Sequence, residues 1–455
     1  MDIDIHEVVG AVSPVSAEIS NPGFPIRKIS TDTRTLEKDD LFFALQGPKF
    51  DGHHFVREAF EKGSRNFVLS KQDGLPKEFL RSANFLFVPD TLRAYGDLAR
   101  HCRKKFSIPA VAVTGSAGKT TVKELTAHLL SSKFAVLKNR GTENNLVGVP
   151  KTLFQLEASH QVIVVEMGTS QPGEIERLSS IISPQIGASH LEKLRNLEGV
   201  KEEKLSLVNH LERGGILVVN GEDPLLKEVP GGVHKVLRVG FSKENNDFFA
   251  AQGWCHEKGS SFYLNGKDLM ETPLLGRHNI LNCLLAIAVA VFLGVELETI
   301  RKLLSSFKPV SGRLQLKNIE GILFLDDTYN ANPHSFQSAL ETLKEFKIRE
   351  KKGVVCGDML ELGEQSEMLH RELGAFLAGS LFDFVVAAGP LSKYTVDEAL
   401  KKGFDAKRIH HAKDSLQAGK ICRGLCSPGD MVLVKGSRGM QMEKVFECFI
   451  TSSIR

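Results

Sequence analysis

Short runs of apolar residues alternate with polar loops and helical spacings through the middle of the chain. Within this part, the runs that predict buried strands are 110–113, 161–166 and 217–220. After the first run, a glycine-containing turn leads to Val122, Leu125 and Leu129, whose spacing predicts a helix. Apolar strands that alternate with helices are typical of a mostly parallel sheet covered on both faces. The pattern therefore predicts a central α/β domain.

The last third of the chain repeats this alternation. Its apolar runs are 322–325, 354–356, 384–388 and 431–434. Each run is followed by polar residues or glycine, and open α/β sheets bind their ligands at the carboxyl ends of their strands. We predict a second doubly wound, Rossmann-like domain that begins near residue 310.

The first 85 or so residues have a different pattern. Short alternating segments, the turn sequence Asn-Pro-Gly at 21–23 and a helical pattern at 56–62 predict a small α/β domain. A chain of 455 residues is too long for one hydrophobic core, and its length favours about three domains. We therefore predict three α/β domains with the bounds 1–88, 89–309 and 310–455.

The composition narrows the class of protein. The chain carries 58 basic and 55 acidic residues, a balance that argues against a nucleic-acid-binding protein. Seven cysteines without a C-x-x-C pair argue against a zinc site and against a disulfide framework. The acidic start does not resemble a signal peptide, and no apolar run reaches the roughly 18 residues that span a membrane. We expect a cytoplasmic monomer that is not inserted in a membrane.

A glycine-rich segment, T-G-S-A-G-K-T-T at 114–121, carries the clearest chemical signal. It follows a predicted strand and opens a predicted helix, which is the setting of a phosphate-binding loop. Val113 stands where the strict P-loop pattern has its first glycine, so the shorter G-x-x-G-K-T remains. We expect Lys119 to reach the β- and γ-phosphates of ATP and the Thr120 hydroxyl to join a Mg²⁺ shell. The predicted ATP-binding residues of this loop are Gly115, Ser116, Ala117, Gly118, Lys119, Thr120 and Thr121. The alternative is a Gly-Ser turn before an ordinary helix.

Two other elements have weaker signals when taken alone. Glu166 ends a predicted strand, where a carboxylate beside a phosphate loop would suit Mg²⁺. Asp32, Thr33 and Arg34 offer a hydroxyl and a guanidinium that suit a diphosphate or a uracil, but from the residues alone a surface turn is the favoured interpretation.

The loop T-G-x-x-G-K-T resembles the ATP site of the Mur ligases and of the folylpolyglutamate synthetases. The resemblance extends from about residue 30 to 440. Thr142 stands where the family usually has Asn, and the segment 193–196 lacks the family's glycines. Ser206 replaces an acidic residue that is common in the family. The other matching elements are D-T-R at 32–34, D-G-H at 51–53, G-T-E-N-N-L-V-G-V-P at 141–150, E-M-G at 166–168, H-L-E at 190–192, G-R-H-N at 276–279, S-G-R at 311–313 and D-D-T-Y-N-A-N-P at 326–333.

The resemblance implies a specific reaction. Mur ligases use ATP and Mg²⁺ to convert a carboxylate into an acyl phosphate, which an amine then attacks. The D-D-x-Y-N-A-N-P string is typical of the members that add D-alanyl-D-alanine to UDP-N-acetylmuramoyl-tripeptide in peptidoglycan synthesis. The alternatives are another amino-acid-adding Mur ligase, a folylpolyglutamate-type ligase, a P-loop ATPase switch without ligase activity, and a catalytically silent binding protein. Substrate sites on three domains also imply that the domains close on ATP.

The resemblance also implies roles for individual residues. Lys204 corresponds to a lysine that is carbamylated in the family, and Lys201 takes that place if the register slips by one turn. From the residues alone, an exposed helix of mixed charge is the favoured interpretation of this segment. The implied catalytic residues are Lys119, Glu166, His190 and Lys204. The implied metal ligands are Thr120, Glu166, His190 and Lys204. The further ATP contacts are Asn279, Asn282, Arg313 and Asp327. The implied substrate contacts are Thr31, Asp32, Thr33, Arg34, Phe43, Asn144, Asn145, Asn330, Asn332 and Ser335.

Overall fold

The computed structural model describes residues 3–47, 50–72, 75, 77–190, 197–227, 229, 234–348 and 350–450. The chain divides into two compact units. The first comprises Met1–Leu237 with Ala288–Val295, and the second comprises Arg238–Ile287 with Glu296–Arg455. Both units are built from sheets covered by helices, as the sequence predicts.

The amino-terminal part of the first unit is a small α/β fold. Its strands run in the order β1-β7-β6-β3-β2, with β1 antiparallel to β7 and the other neighbours parallel. Asp90 begins the helix α4, because its side chain accepts hydrogen bonds from two backbone N–H groups of the first turn. The helical pattern at 56–62 corresponds to α2. The elements are α1 (Ile5–Val12), β1 (Ser16–Glu18), β2 (Ile29–Ser30), β3 (Leu41–Phe43), β4 (Gln46–Gly47), β5 (Phe50–Asp51), α2 (Val56–Glu61), β6 (Asn66–Leu69), α3 (Lys77–Leu80), β7 (Asn84–Phe87) and α4 (Thr91–Lys104).

The central part contains the predicted parallel sheet. Its strands are rich in Val, Ile and Ala and lie in the order β12-β11-β8-β10-β9, all parallel. The three strands predicted at 110–113, 161–166 and 217–220 are all present. The elements are β8 (Ala110–Gly115), α5 (Lys119–Leu130), β9 (Val136–Lys138), α6 (Gly148–Leu153), β10 (Val162–Glu166), α7 (Glu174–Ile182), β11 (Ile186–His190), α8 (Leu197–Leu205), β12 (Ile216–Asn220), α9 (Pro224–Lys227) and β13 (Lys235–Gly240).

The second unit begins with antiparallel strands for which the sequence patterns made no prediction. The strand β14 pairs parallel with the end of β13, and β15 then pairs antiparallel with both β14 and β16. Asn265 and Gly266 both have positive φ at the turn between β15 and β16. The elements are β14 (Phe248–His256), β15 (Gly259–Leu264), β16 (Asp268–Thr272), α10 (Arg277–Phe292) and α11 (Leu297–Ser306). The last residues of α10, from Ala288 onwards, belong to the first unit.

The carboxyl-terminal part has the predicted doubly wound form. Five parallel strands run in the order β18-β22-β19-β20-β21, and β17 adds an antiparallel edge. The apolar runs that predicted these strands are all present as strands. The elements are β17 (Gln315–Ile319), β18 (Ile322–Asp327), α12 (Pro333–Glu345), β19 (Lys352–Gly357), α13 (Ser366–Ala378), β20 (Phe384–Ala388), α14 (Ser392–Lys401), β21 (Ile409–Ala412), α15 (Ser415–Leu425), β22 (Met431–Lys435) and α16 (Lys444–Ile450). The domain bounds 1–88, 89–309 and 310–455 stay a prediction.

Candidate active site

The turn between β8 and α5 has the geometry of a phosphate-binding loop. Gly118 precedes the helix in a left-handed conformation, with φ of +74°, which favours glycine. Because Gly118 has no side chain, no cap competes for the backbone N–H groups at the start of α5. Lys119 Nζ donates to the carbonyl oxygen of Gly115 at 2.8 Å. The ammonium group therefore lies over the loop, where an anion would also meet the positive end of the helix dipole.

The side chains of the loop place hydroxyl groups around it. Thr120 and Thr121 are buried in the first turn of α5. Ser116 Oγ is buried without a hydrogen-bond partner, and Ala117 beside it is half-buried. Buried polar atoms are nearly always hydrogen-bonded, so an unsatisfied hydroxyl in this loop favours a bound ligand.

The parallel register brings two other strand ends to the same edge of the sheet. Glu166 at the end of β10 is paired opposite Val113 of β8. The backbone of His190 at the end of β11 is paired opposite Gly115. The side chain of His190 and the segment 191–196 lie outside the described residues. The predicted neighbourhood of phosphate loop, Glu166 and His190 is therefore present at the level of the backbone.

One carboxylate oxygen of Glu166 is hydrogen-bonded, and the other has no hydrogen-bond partner. Its side chain accepts a hydrogen bond at Oε1 from Asn144 Nδ2 at 2.8 Å. The residue is 2% exposed, and its Oε2 atom is buried without a hydrogen-bond partner. A buried carboxylate oxygen without a partner is costly unless a cation or an ordered water satisfies it. The position at the edge of the phosphate loop favours a cation.

The predicted substrate-binding loop at 141–150 supports Glu166. The amide N–H of Gly168 donates to Asn144 O at 2.8 Å, and a Cβ at Gly168 would lie 2.7 Å from Asn144 Oδ1. Asn145 Oδ1 instead accepts from the backbone N–H groups at the start of α6, including that of Gly148 at 2.8 Å. Thr142 is exposed. Asn144 therefore faces the metal candidate, and Asn145 uses its side-chain oxygen to begin a helix.

Lys204 on α8 is buried, with 6% of its surface exposed. This differs from the exposed helix of mixed charge that the residues of this segment favour when taken alone. Burial and the nearby Lys119 cation lower the pKa of Lys204 to about 8, and Glu203 and Glu174 partly offset that shift. A lowered pKa makes the neutral amine accessible near neutral pH, and only the neutral amine reacts with CO₂. The side chain of Lys201, the rival position, lies outside the described residues.

The neighbouring Glu203 attaches the helix α8 to the start of α7. Glu203 Oε2 accepts from the N–H of Gly173 at 2.6 Å, and Oε1 accepts from the N–H of Ile175 at 2.9 Å. Gly173 is the N-cap of α7 and has no side chain of its own to provide. Glu203 thus serves as the cap from a distant part of the chain, and it fixes the helix that carries Lys204.

Replacing Glu203 with Gln should loosen this attachment. The amide keeps one acceptor but presents an NH₂ group to a backbone N–H, so one cap hydrogen bond is lost at a cost of about 1 kcal/mol. We expect faster hydrogen exchange at the amides of 173–175, measured by mass spectrometry. The exposed neighbour Glu202→Gln is the matched control and should leave this exchange unchanged. Equal exchange in both variants would show that Glu203 does not hold α7.

The described residues do not form a preassembled metal cage. Among them, no group of three or more His, Cys, Asp and Glu side chains is arranged to hold a metal ion. Mg²⁺ usually keeps several waters and binds through one or two carboxylates together with the phosphates of a substrate. The unsatisfied Oε2 of Glu166 and the buried Thr120 fit such a partial shell.

The predicted UDP-binding residues lie on the loop after β2. Arg34 forms a bidentate contact with Asp32, with Arg34 Nη2 to Asp32 Oδ2 at 2.6 Å, and this contact lowers the pKa of Asp32 to about 2. The Arg34 side chain is 86% exposed. Thr31 is half-buried, and Thr33 is buried with its carbonyl oxygen bound by Lys62. Arg34 is therefore the residue of this set that is most available to a ligand.

Phe43 differs from the prediction that it contacts the substrate. Its side chain has no exposed surface and packs edge-on against Tyr95, with ring centroids 5.2 Å apart. We assign it to the hydrophobic core of the amino-terminal sheet, because an apolar strand residue whose side chain faces the covering helix is excluded from solvent.

All four further predicted ATP contacts lie in the second unit. Asn279 and Asn282 are buried on α10, and Asn282 Nδ2 donates to Asn279 Oδ1 at 2.9 Å. Asn282 Oδ1 is buried without a hydrogen-bond partner, so it remains an acceptor for a ligand or a water. The guanidinium of Arg313 lies 4.3 Å from the centroid of the Tyr329 ring. Their roles stay predictions.

Asp327, the fourth of these contacts, is already engaged on both oxygens. Its Oδ2 accepts from Lys435 Nζ at 2.6 Å, and its Oδ1 accepts from the N–H of Leu314 at 3.1 Å. Lys435 is 1% exposed and also donates to Asn330 O at 2.8 Å. The sequence patterns did not single out Lys435 as the partner of Asp327, because the two residues are brought together only by the pairing of β18 with β22.

Two predicted dipeptide contacts form the start of α12 instead. Ser335 N–H donates to Asn332 Oδ1 at 2.8 Å, and Asn332 N–H donates to Ser335 Oγ at 3.0 Å. This reciprocal arrangement is a capping box, which satisfies backbone donors at a helix start. Asn330 Oδ1 accepts from the N–H of Ala331 at 2.9 Å. The side chains of Asn332 and Ser335 thus begin α12, and their roles as substrate contacts stay predictions.

Within the part of the chain that the structure describes, no helix is both long and apolar enough to cross a bilayer.

Comparisons with known proteins place the chain among amide-forming ligases. Three family models match consecutive segments of the chain. They are the catalytic domain of the Mur ligase family at residues 25–103, the Mur ligase middle domain at 113–290 and the Mur ligase glutamate ligase domain at 312–438. Their order follows the three predicted parts of the chain.

Curated proteins and solved structures show the same similarity. A UDP-N-acetylmuramoyl-tripeptide–D-alanyl-D-alanine ligase of Bacillus subtilis is 35% identical over 97% of this chain and 97% of its own length. A crystal structure of MurF from Acinetobacter baumannii matches with a TM-score of 0.88 at 29% identity, covering 98% of both chains. A MurF ligase from Thermotoga maritima in complex with ADP matches with a TM-score of 0.82 at 29% identity, covering 93% of this chain and 97% of its own.

Proposed function

The chain belongs to the Mur ligase family, and from this premise we propose that it uses ATP to join D-alanyl-D-alanine to UDP-N-acetylmuramoyl-tripeptide in peptidoglycan synthesis. The observation that carries the proposal is the unsatisfied Oε2 of Glu166 beside an uncapped phosphate loop. A nucleotide with its cation would satisfy both features at once. The full-length relatives that the chain matches, with D-D-T-Y-N-A-N-P at 326–333, support the choice of substrates.

The reaction needs activation because a carboxylate is a poor electrophile. Transfer of the γ-phosphoryl group of ATP to the terminal carboxylate of the tripeptide gives an acyl phosphate and ADP. The amine of D-alanyl-D-alanine then attacks the acyl carbon, loses a proton, and expels inorganic phosphate as the amide bond forms. The protein contributes mainly positioning and neutralisation of charge.

We assign the phosphate contacts to the loop and to Lys119. The ammonium group, held over the loop by Gly115 O, offsets the negative charge of the β- and γ-phosphates. Thr120, Glu166, His190 and Lys204 would hold Mg²⁺, with Lys204 acting as a carbamate. Bound Mg²⁺ supplies neutralisation of the charge that develops on the transferred phosphoryl group.

Carbamylation of Lys204 would reverse the charge of the group beside Lys119. The neutral amine adds to CO₂ and releases one proton, which leaves a carbamate anion. Its lowered pKa, about 8, supports this step because far more of the amine is unprotonated at physiological pH than in an ordinary lysine. The anion would also relieve the repulsion between two neighbouring cations.

The remaining assignments complete the proposal. The loop with Asp32 and Arg34 binds the UDP part of the substrate, and the carboxyl-terminal part receives the dipeptide. Because ATP and UDP-linked precursors are cytoplasmic metabolites, we place the enzyme in the cytoplasm. We propose a monomer, since every assigned residue is provided by a single chain.

Dependence of phosphate release on the dipeptide tests this function. The enzyme is incubated with ATP, Mg²⁺ and UDP-N-acetylmuramoyl-tripeptide, with and without D-alanyl-D-alanine, and mass spectrometry identifies the product. We expect release that requires the D,D-dipeptide and forms the UDP-pentapeptide, with L-alanyl-L-alanine as the matched control. Release that is indifferent to both substrates would replace the proposal with an ATPase switch. No release with any pairing would indicate another acceptor or a silent relative.

A further inference from the structure

The helix that begins at the phosphate loop carries a second lysine, Lys123, one turn beyond Lys119. It is 0% exposed, which is unusual for a cation. Its ammonium group donates to Asn139 O at 2.8 Å and to Gly141 O at 3.2 Å, and it contacts Glu124 Oε1 at 2.9 Å. All three N–H donors of Lys123 are therefore used, two of them on the backbone of one loop.

That loop is attached in turn to the backbone of Glu166. The strand β9 pairs with β10 as far as Lys138. The side chain of Asn139 then takes the place of the next backbone rung, because its Oδ1 accepts from Glu166 N–H at 2.9 Å and its Nδ2 donates to Glu166 O at 3.1 Å. The same Nδ2 donates to Glu143 O at 2.9 Å. One buried amide thus fixes both the end of β10 and the loop that leads to Asn144.

The chain of contacts ends on the side-chain carboxylate of Glu166. Asn144 Nδ2 donates to Glu166 Oε1, which directs Oε2 to its unsatisfied position. The contacts therefore run from Lys123 through the loop at 139–144 to the carboxylate. They begin on α5, the same helix whose first turn is assigned to the phosphates.

We infer that Lys123 is a positioning residue that sets the geometry of the Glu166 carboxylate toward the cation of a bound nucleotide. Mg²⁺ demands near-ideal coordination geometry, so the phosphate loop and the Glu166 carboxylate must keep a fixed spacing to hold it together. Lys123 provides that spacing, because it ties the loop behind Glu166 to the helix behind the phosphates. The inference rests on the proposed function only for the identity of the nucleotide.

Replacing Lys123 with Met tests this inference. The variant keeps much of the buried volume but leaves the carbonyl groups of Asn139 and Gly141 without their donor. The matched control is Lys138→Met, because Lys138 contacts the same Glu124 carboxylate but is 42% exposed and not bound to the loop. A milder variant, Lys123→Gln, keeps an NH₂ group with two donors on a shorter side chain, and it serves if Lys123→Met does not fold.

The readout is ADP binding measured by calorimetry over a series of Mg²⁺ concentrations and in EDTA. We expect Lys123→Met to weaken Mg²⁺-dependent binding of ADP about tenfold to a hundredfold, as supports of metal ligands do, with a smaller shift for Lys123→Gln. Binding in EDTA and the behaviour of Lys138→Met should match the wild type. A loss of thermal stability without a change in Mg²⁺ dependence would overturn the inference and leave Lys123 with a structural role alone.

ADP binding and product formation by the wild-type enzyme distinguish a failure of this inference from a failure of the proposed function. If it binds ADP in a Mg²⁺-dependent manner but forms no UDP-pentapeptide, the ligase proposal fails. The comparison of ADP binding between Lys123→Met and the wild type then still tests the inference. If the wild-type enzyme forms the product and Lys123→Met binds Mg²⁺–ADP as tightly as the wild type, the inference alone fails.

Discussion

Replacing Glu166 with Gln should lower kcat by about two to three orders of magnitude while the fold is preserved. Gln has the same shape, and its carbonyl oxygen can still accept from Asn144 Nδ2, which donates to Glu166 Oε1 at 2.8 Å. The variant removes the negative charge and places a neutral NH₂ group where Oε2, the buried atom without a partner, lies. Steady-state phosphate release with saturating substrates measures the effect.

Unlike kcat, the thermal stability of the Glu166→Gln variant should not fall. In the absence of ligand, a buried carboxylate with one unsatisfied oxygen destabilises the folded protein, so the neutral amide should leave the melting temperature unchanged or raise it. The control is Glu143→Gln on the same loop, whose carboxylate pairs with the exposed Lys151 at 2.6 Å. It should keep activity within a few fold, because exposed pairs contribute little. Near-normal kcat for Glu166→Gln would show that this carboxylate does not hold the cation.

Replacing Lys204 with Met should also abolish most of the activity, whereas Lys201→Met should not. The two variants decide the register, since the family resemblance allows either lysine to be the carbamylated one. Lys204 is favoured because it is 6% exposed and burial near Lys119 lowers its pKa to about 8. We expect a loss of about a hundredfold or more, the size found for groups that neutralise charge in the transition state. Equal losses in the two variants, or a larger loss for Lys201→Met, would contradict this assignment.

The pH dependence of carbamylation provides a direct measurement. With a pKa of about 8, roughly a quarter of Lys204 is neutral at pH 7.5, compared with about one part in a thousand for an unperturbed lysine. Labelling with ¹³C-bicarbonate should therefore give one carbamate signal by NMR in the wild type and none in Lys204→Met. At a constant concentration of dissolved CO₂, the signal should appear faster as the pH rises from 6.5 towards 8, and a rate that stays pH-independent under that condition would contradict the role of the lowered pKa.

The lowered pKa of Lys204 also makes the free energy of unfolding depend on pH. The folded pKa lies below that of an unfolded lysine, 10.5, so between about pH 8 and pH 10.5 the folded state binds fewer protons than the unfolded state. The contribution of Lys204 to the free energy of unfolding therefore rises with pH across that window. Below about pH 8 both states carry the proton, and the contribution is constant. The difference between wild type and Lys204→Met in denaturant unfolding isolates this contribution.

The elements that depend on local pattern were predicted from the sequence. Seven of the parallel strands are continuous apolar runs, because both of their faces are covered, and such runs are visible without any partner. The parallel strands β9, β11 and β21 are shorter or contain polar residues, and they were not predicted. The antiparallel strands at 248–272 were missed. Their burial alternates irregularly, and a register shift occurs between Ala251 and Trp254, so no single period is kept. The turn residues Asn265 and Gly266 were the local signal that would have found them.

The sequence by itself determined the phosphate loop and the strand that ends at Glu166. The capping box at Asn332 and Ser335 is equally local but was not predicted, because family resemblance assigned that pair to the substrate. These features depend on residues that lie within one turn or one strand of each other. Only the tertiary structure decided that Asn144 occupies one oxygen of Glu166, that Glu203 caps a helix 30 residues away and that Lys123 and Lys204 are buried. The physical reason is that burial and hydrogen-bond partners depend on which strands and helices become neighbours. That pairing is fixed by the packing of the whole sheet, and no local pattern of residues records it.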